Sequence, residues 1–538
     1  MNPAKPARFF GLVSVLVLMI GLNPSRATLY YDATPPSYPM TYGTGTISTT
    51  SDADFTSSPG ASASYVNWSN STSDTLQIGS NTPGYYTGGS TAGSFSLTLA
   101  QATSLGLLEE SGNLTSGNTV TITDGGTAGN TLTFGGSGTT DNIQNNSVNN
   151  PLIINARILS ANGGAGLYDE SLGTVILTNS TANSYGATVI ESGGASSSTG
   201  GTLQIGNGGT IGSLGSGTVT LAQYFVSGTA TQTLPSTLAF DRSDSAGITV
   251  SNTINVSTYI GGTISQIGTG TLNLSGSINN NSTGTLTVNV AAGDSAQISG
   301  AIGGTGSGLF VKSGAGTLQI SGTNTYTGGT SITAGNLQVT NTSSSSSATG
   351  SGGVSLGSAT LSGTGYVTGA VTATGASGAS NITVATTGSV GTLTLNGGVT
   401  SSTGLTLNLA VDGAAGANSL LSLGSANLSV SGSALTFNLY DQGSNLLTPN
   451  TPYLIVSSTG SLTASSITAS LSGSTQYTLK TSYGTDGISI SGGDAYFEVQ
   501  SVPEPSTWAL MLGGLALLVF YQRRRHEAAR AGEMPARS

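Results

Sequence analysis

The sequence predicts an all-β chain, a solenoid of stacked short strands followed by a single C-terminal transmembrane helix. Three observations carry this reading. From Thr28 to about Glu498 the chain is a succession of runs, about four residues each, that alternate polar and apolar positions, which is the period of a strand. Landmarks recur along these runs, as they do where one supersecondary unit is repeated. Finally, the apolar run Trp508 to Tyr521 stands apart from everything before it, with Val502-Pro503-Glu504-Pro505 in front and Arg523, Arg524 and Arg525 behind.

The first element is residues 1–27. Lys5 and Arg8 precede the apolar stretch Phe9 to Leu22, and Ser25-Arg26-Ala27 follows. A positive start, an apolar centre and small residues at −3 and −1 read as a secretory signal peptide cleaved after Ala27. The partner expected at this step is the secretion machinery.

The body is poor in charge. Only 6% of the 538 residues are charged, against roughly 25% in an average soluble domain. Gly accounts for 82 residues and 36% are hydrophobic. Such a chain makes many turns and buries thin apolar layers. Between Thr28 and Gln522 it holds four cations (Arg157, Arg242, Lys312, Lys480) and twenty acids, a formal charge of −16. A surface this acidic repels phosphate backbones, which argues against nucleic-acid binding. There is no Cys, so disulfides, thiolate zinc sites and Cys nucleophiles are excluded.

Within the body, residues 28–160 lack a clear repeat but hold Tyr30, Tyr31, Trp68, Tyr85 and Tyr86. They read as a β region that caps the stack, since open sheet edges aggregate. Residues 161–440 carry the repeats, and 441–500 read as a C-terminal β region. A Gly-Thr-[Leu/Val] start recurs at Gly173, Gly201, Gly270, Gly284, Gly316 and Gly391. Two longer stretches, from Gly173 and from Gly314, keep the same order. Each has a strand, an Asn-x-Tyr turn (Asn183, Tyr185; Asn324, Tyr326), a second strand start and a Leu-Gly-Ser turn at Leu214 or Leu356. Short strands joined by such turns cannot each bury a face alone, but stacked as rungs they build one narrow core. At 20 to 25 residues per rung this gives about 20 rungs and a rod on the order of 100 Å. The rival architecture is a series of β-sandwiches.

Lys312, Gly314, Gly316, Thr317, Leu318, Asn324, Tyr326, Gly328 and Thr330 resemble the autotransporter-associated β-strand repeat of bacterial passenger domains. The stretch from Gly173 to Gly193 is similar but lacks the Lys and is one residue shorter before Gly186. The resemblance implies a right-handed parallel β-helix.

No catalytic constellation stands out. Asp241-Arg242-Ser243-Asp244 reads as a solvated turn with a local ion pair. Glu109-Glu110, Asp169-Glu170 and Asp52/Asp54 read as acidic pairs on loop surface. The single His, His526, lies behind the apolar run, which leaves no His-dependent triad in the body. The expectation is a non-enzymatic protein with no cofactor and no metal.

The apolar run of 14 residues spans about 21 Å as a helix, against a hydrocarbon core of ~30 Å. Ser506, Thr507 and a snorkelling Arg523 are expected to extend it, and Arg523 to Arg525 to act as a positive-inside stop. Residues 526–538 then form a basic cytoplasmic tail. The segment 501–525 resembles the PEP-CTERM sorting signal of Gram-negative bacteria: Val502, Pro503, Glu504 and Pro505 carry its motif, Ser506 to Tyr521 its membrane helix and Arg523, Arg524 and Arg525 its basic stop. The resemblance implies an exosortase as processing partner. Pro503 and Pro505 are expected to keep the motif extended. The chain therefore reads as an exported structural or adhesive protein. It is anchored transiently in the inner membrane, then placed at the outer surface or in a matrix where extracellular polysaccharide is a candidate contact. The competing readings are a polysaccharide-processing enzyme on a β-helix scaffold and a glycosylated disordered stalk.

Overall fold

The computed structural model describes residues 28–31, 44–50, 55–56, 69–71, 74–78, 94–110, 117–135, 143–160, 166–192, 200–209, 212–222, 235–243, 247–257, 261–376, 379–385, 389–413, 418–443, 445–502 and 505–531. Ala27, with the signal segment, Pro503 and Glu504, Asp52, Asp54 and Asp244, and the rings of Tyr30, Tyr31, Trp68, Tyr85 and Tyr86 lie outside what is described.

The strands pair in parallel with partners one rung on, which makes the body a β-solenoid. One ladder passes through Thr75–Ile78, Leu107–Glu110, Ile143–Asn145, Leu167–Ser171, Thr188–Ser192, Val219–Leu221, Ile254–Val256 and Ile278–Asn280. A second runs unbroken from Thr44–Ile47 to Leu462–Ser472 through sixteen strands. Fifteen steps of about 4.8 Å make that ladder ~70 Å long. That ladder is shorter than the sequence estimate, its sixteen strands being fewer than the expected rungs. A third ladder begins at Ile248–Val250 and includes Thr317–Ile320, Asn336–Val339 and Leu405–Val411. It merges with the second in the 14-residue strand Leu428–Asp441, whose bend falls between Val430 and Ala434.

Residues 28–160 contribute rungs to the same ladders rather than standing apart from them. Most strands alternate buried and part-exposed positions, as in Thr285–Val290, whereas Thr75–Ile78 is buried throughout. The inward positions stack into columns such as Leu76, Leu108, Ile143, Asp169, Ile190, Leu221 and Val256, all shut off from solvent. Each fully buried Leu, Ile or Val contributes about 1.5–3 kcal/mol. Backbone groups are satisfied by the neighbouring rung, as where Leu286 N–H donates to Leu309 O at 2.9 Å. This paired, packed body rules out the disordered-stalk reading.

At the C-terminal end the pairing changes sense. Tyr453–Ser458 continues a parallel ladder on one side but pairs antiparallel with Asp494–Phe497 on the other. Ile488–Ser491 adds antiparallel to that strand, and Tyr477–Leu479 pairs antiparallel with Val499–Ser501. An antiparallel strand cannot template the next parallel rung, so this unit stops the stack.

A helix follows, Pro505–Ala531, 27 residues long, or about 40 Å. The expectation of a transmembrane helix is corrected here: among the described residues no helix is long and apolar enough to cross a membrane. The helix has the length but not the apolarity, because its apolar run ends at Tyr521 and its next turn is Gln522-Arg523-Arg524-Arg525. The extension expected from Ser506, Thr507 and Arg523 does not make up the difference. The helix also continues through residues assigned to the tail. Pro505 is its first residue rather than part of an extended motif. At that position the missing N–H leaves no helical bond unmade and the fixed φ suits the turn.

Candidate functional site

Two places concentrate sequence information: the Asn-x-Tyr turn of the repeat and the terminal segment. In the turn, Asn324 is buried and ties three rungs together. Its Oδ1 accepts the Ile302 N–H at 2.7 Å, and its Nδ2 donates to Ala348 O at 2.5 Å. Asn183 does the same in the earlier repeat, accepting from Ile158 N–H at 2.9 Å and donating to Ser213 O at 2.7 Å. An amide is the side chain for this task, since it presents an acceptor and a donor at one tip.

Tyr326 is 1% exposed and packs on Phe310 at 5.6 Å between centroids. Its hydroxyl lies 2.7 Å from Thr330 Oγ1, and the Thr330 hydroxyl donates to Thr349 O at 3.3 Å; Tyr326 is therefore the donor of that pair. Burial pushes the Tyr326 phenol up, and the Tyr185 phenol up to about 12. Above each ring sits a glycine of the next rung. A Cβ on Gly215 would come 2.3 Å from Tyr185 Cδ2, and one on Gly350 3.0 Å from Tyr326 Cδ2. Ser216 N–H and Ser351 N–H then donate to the carbonyls of Tyr185 and Tyr326 at 3.0 and 3.1 Å. The structural counterpart of Gly215-Ser216-Gly217 is thus Gly350-Ser351-Gly352, and the Leu-Gly-Ser turn at Leu356 lies one strand too late. The signal was present as GSGTVTL and GSGGVSL.

Lys312 lies on the strand paired with Thr330–Ile332 and is closed to solvent. Its Nζ donates to Ser313 O at 2.7 Å, Gly314 O at 2.8 Å and Ala334 O at 3.3 Å. Burial pulls its ammonium down to about 8. In the earlier repeat the same place is taken by Asp169. Lys312 stacks on Ile332 and Asp169 on Ile190, and each stands four residues before the glycine that opens the next strand, Gly316 or Gly173.

Asp169 is also fully buried. It accepts a hydrogen bond from the Ser171 hydroxyl, and its Oδ2 meets no donor among the described residues. Burial pushes its carboxyl up to about 7 and that of Glu110 up to about 9; Glu109 is raised as well, partly offset by the Asn146 amide at 3.1 Å. The reading of these acidic pairs as loop surface is corrected. They sit in strands Leu107–Glu110 and Leu167–Ser171, and alternation turns one acid of each pair inward. Of the Asp241–Asp244 cluster, Asp241 accepts from Gln204 Nε2 at 3.4 Å and Arg242 donates to Gly212 O at 3.3 Å. Among the described residues no group of three His, Asp or Glu is placed to hold a metal ion.

In the terminal segment Val502 is exposed, and its N–H donates to Gln476 O at 2.8 Å, which moors the end of the body. Beyond it, Leu510, Met511, Leu512, Leu515, Leu517, Leu518 and Phe520 are all more than half exposed. The apolar run therefore finds no packing partner among the described residues of the body. Arg524 lies over the Phe520 ring at 5.6 Å, and the side chains of Arg523, Arg524 and Arg525 face solvent.

The described chain is thus a repeat-built β-solenoid that ends in an exposed apolar helix with a basic end. Comparison with known families agrees at both places. The passenger-associated-transport-repeat model matches residues 310–339, and the PEP-CTERM protein-sorting motif matches residues 501–525. Neither model is that of an enzyme family, and the sorting motif implies export and processing by an exosortase. No curated protein matches the chain.

Proposed function

We propose that this chain is a structural or adhesive protein of the cell surface or extracellular matrix, released from the membrane by processing at Val502, Pro503, Glu504 and Pro505. The observation that carries this is the exposed apolar run, which has no partner among the described residues of the solenoid and follows directly on the sorting motif. Contiguous exposed apolar surface marks a site of membrane or protein contact. The run holds the exported rod at the inner membrane, the basic residues Arg523 to Arg525 lie at the membrane surface beyond it, and cleavage frees the body. The rod then presents rows of Ser, Thr and Asn to its surroundings. Glu110 and Asp169 do not favour the enzyme reading, since both are sealed from any polysaccharide.

The test is an epitope tag at Ser538 in the native host, with fractionation and mass spectrometry of the mature C-terminus. The wild-type surface protein should lack the tag. Replacing Pro503, Glu504 and Pro505 by Ala should leave the tag attached and the precursor in the inner membrane. A tag retained equally by both would make the segment a permanent anchor and end the sorting reading.

A further inference from the structure

Near its C-terminal end the outer face of the solenoid carries a groove of about 250 Å³. Register builds its floor. Thr383, Asn408, Asn438 and Ser470 fill one outward column, and Ala410, Tyr440 and Ser472 the adjacent one. The first column is hydrogen-bonded along its length. Asn408 Nδ2 donates to Thr383 Oγ1 at 3.1 Å, Asn438 Nδ2 to Asn408 Oδ1 at 3.0 Å, and Ser470 Oγ to Asn438 Oδ1 at 3.2 Å. These bonds fix which way each amide points. Each Asn spends one N–H on the ladder and keeps its second for another partner.

Tyr440 is the aromatic residue of this floor and is 47% exposed. Its ring rests on the backbone of the next rung, where a Cβ on Gly473 would come within 3.1 Å of Cε2. Its small neighbours Ala410 and Ser472 carry no bulk that could cover the rest of the ring. Gln442 also lines the groove, and its Nε2 is buried with no hydrogen-bond partner among the described residues. A buried donor without an acceptor is costly, and a ligand oxygen reaches it once the Gln442 side chain turns outward from the groove wall. No charged side chain lines the groove among the described residues.

We infer that this groove is a binding subsite for a neutral glycan, with Tyr440 as the stacking platform and Asn408, Asn438 and Gln442 as the hydroxyl-recognising amides. The inference rests on the surface-protein reading and deepens it. A sugar ring offers an apolar C–H face and a rim of hydroxyls, and the groove offers the complement of each: an aromatic face and a few fixed polar groups. The lack of a cation in the lining argues against an acidic polysaccharide, as does the negative body around it.

The test is affinity electrophoresis of the purified full chain through gels containing dextran, mannan, laminarin or alginate. The wild type should be retarded by at least one of the three neutral polymers and not by alginate. Tyr440→Ala should weaken retention about tenfold, and Gln442→Leu should weaken it to a lesser degree, with unchanged far-UV circular dichroism. Thr463→Ala, in an outward column away from the groove, should bind as wild type. Retardation by alginate alone, no retardation by any neutral polymer, or full retention in Tyr440→Ala would each overturn the subsite. Fractionation separates the two readings. A surface-located protein without Tyr440-dependent binding sinks the subsite alone, whereas Tyr440-dependent binding by a protein that never leaves the cytoplasm sinks the surface role alone.

Discussion

Asp169→Asn isolates the energetic consequence of placing an acid where the later repeat has Lys312. The carboxyl titrates near 3.8 when unfolded and near 7 in the fold. A group whose folded pKa is raised stabilises the fold while protonated, and that contribution is lost as pH climbs from the unfolded value to the folded one. Each pH unit crossed between the two values removes ~1.4 kcal/mol, so between pH 5 and pH 8 the rung around Leu167–Ser171 should lose about 2–3 kcal/mol. The neutral amide of Asn does not titrate and still accepts from the Ser171 hydroxyl. Opening free energies of that rung, from hydrogen exchange corrected for the intrinsic pH dependence, should fall with pH in the wild type and stay level in Asp169→Asn. Glu110, two rungs away, titrates in the same direction, so the informative quantity is the difference between the two proteins at each pH. Equal slopes would refute the assignment of a buried, proton-bearing Asp169.

Other outcomes follow from the same interior. Lys312 has its folded pKa lowered to about 8 from 10.5, so the unfolded chain binds more protons in that window and stability around residues 310–339 should rise with pH from 8 to 10.5; Lys312→Met should abolish the rise in a thermal-melt series. Asn324→Ala orphans the Ile302 N–H and the Ala348 carbonyl and should cost ~2–5 kcal/mol, read as lost exchange protection at those rungs, and normal protection would place the amide outside the core. Tyr326→Ala should destabilise by ~3–5 kcal/mol, with new proteolysis near residue 326 that neighbouring rungs confine. Gly350→Ala, at φ +65° and facing the Tyr326 ring, should destabilise the same turn, whereas Gly443→Ala, in open space, should be felt through its backbone angle alone.

The stacked-strand architecture was legible because it rests on period and repetition, which survive in any single sequence. Thr202–Gly209 begins with the same Thr-Leu-Gln-Ile as Thr317–Ile320, and both begin as strands whose Leu and Ile point inward. What escaped depends on which of two faces a residue takes. Glu109 and Glu110 look alike as letters, but the pleat turns Glu110 into the core beside Asn145 and leaves Glu109 partly outside. Asp169 in place of Lys312 was hidden for a related reason: only the pairing with Ile190 and Ile332 shows that the two residues hold one position. The two side chains share no charge, only a position where the backbone closes a corner and offers polar atoms. Lys312 uses three carbonyls there and Asp169 a hydroxyl. The corner therefore demands a polar tip rather than a particular sign, and a motif written around Lys misses half of its own cases.

The terminal helix poses the opposite problem, because its composition was legible and its consequence was not. Fourteen apolar residues fall short of a bilayer, and the arginines that would mark a stop also dilute any longer window. A helix whose apolar run is exposed and too short to span is unstable in water and only weakly committed to lipid. For a permanent anchor that would be a defect. For a segment that must be held, recognised at Pro503-Glu504-Pro505 and then discarded, weak commitment is the useful property, since the processing enzyme has less membrane affinity to overcome. Lengthening the run by four leucines after Tyr521 should therefore slow release. Pulse-chase of the Ser538 tag would measure this, and an unchanged half-life of the tagged precursor would show that apolar length plays no part in processing.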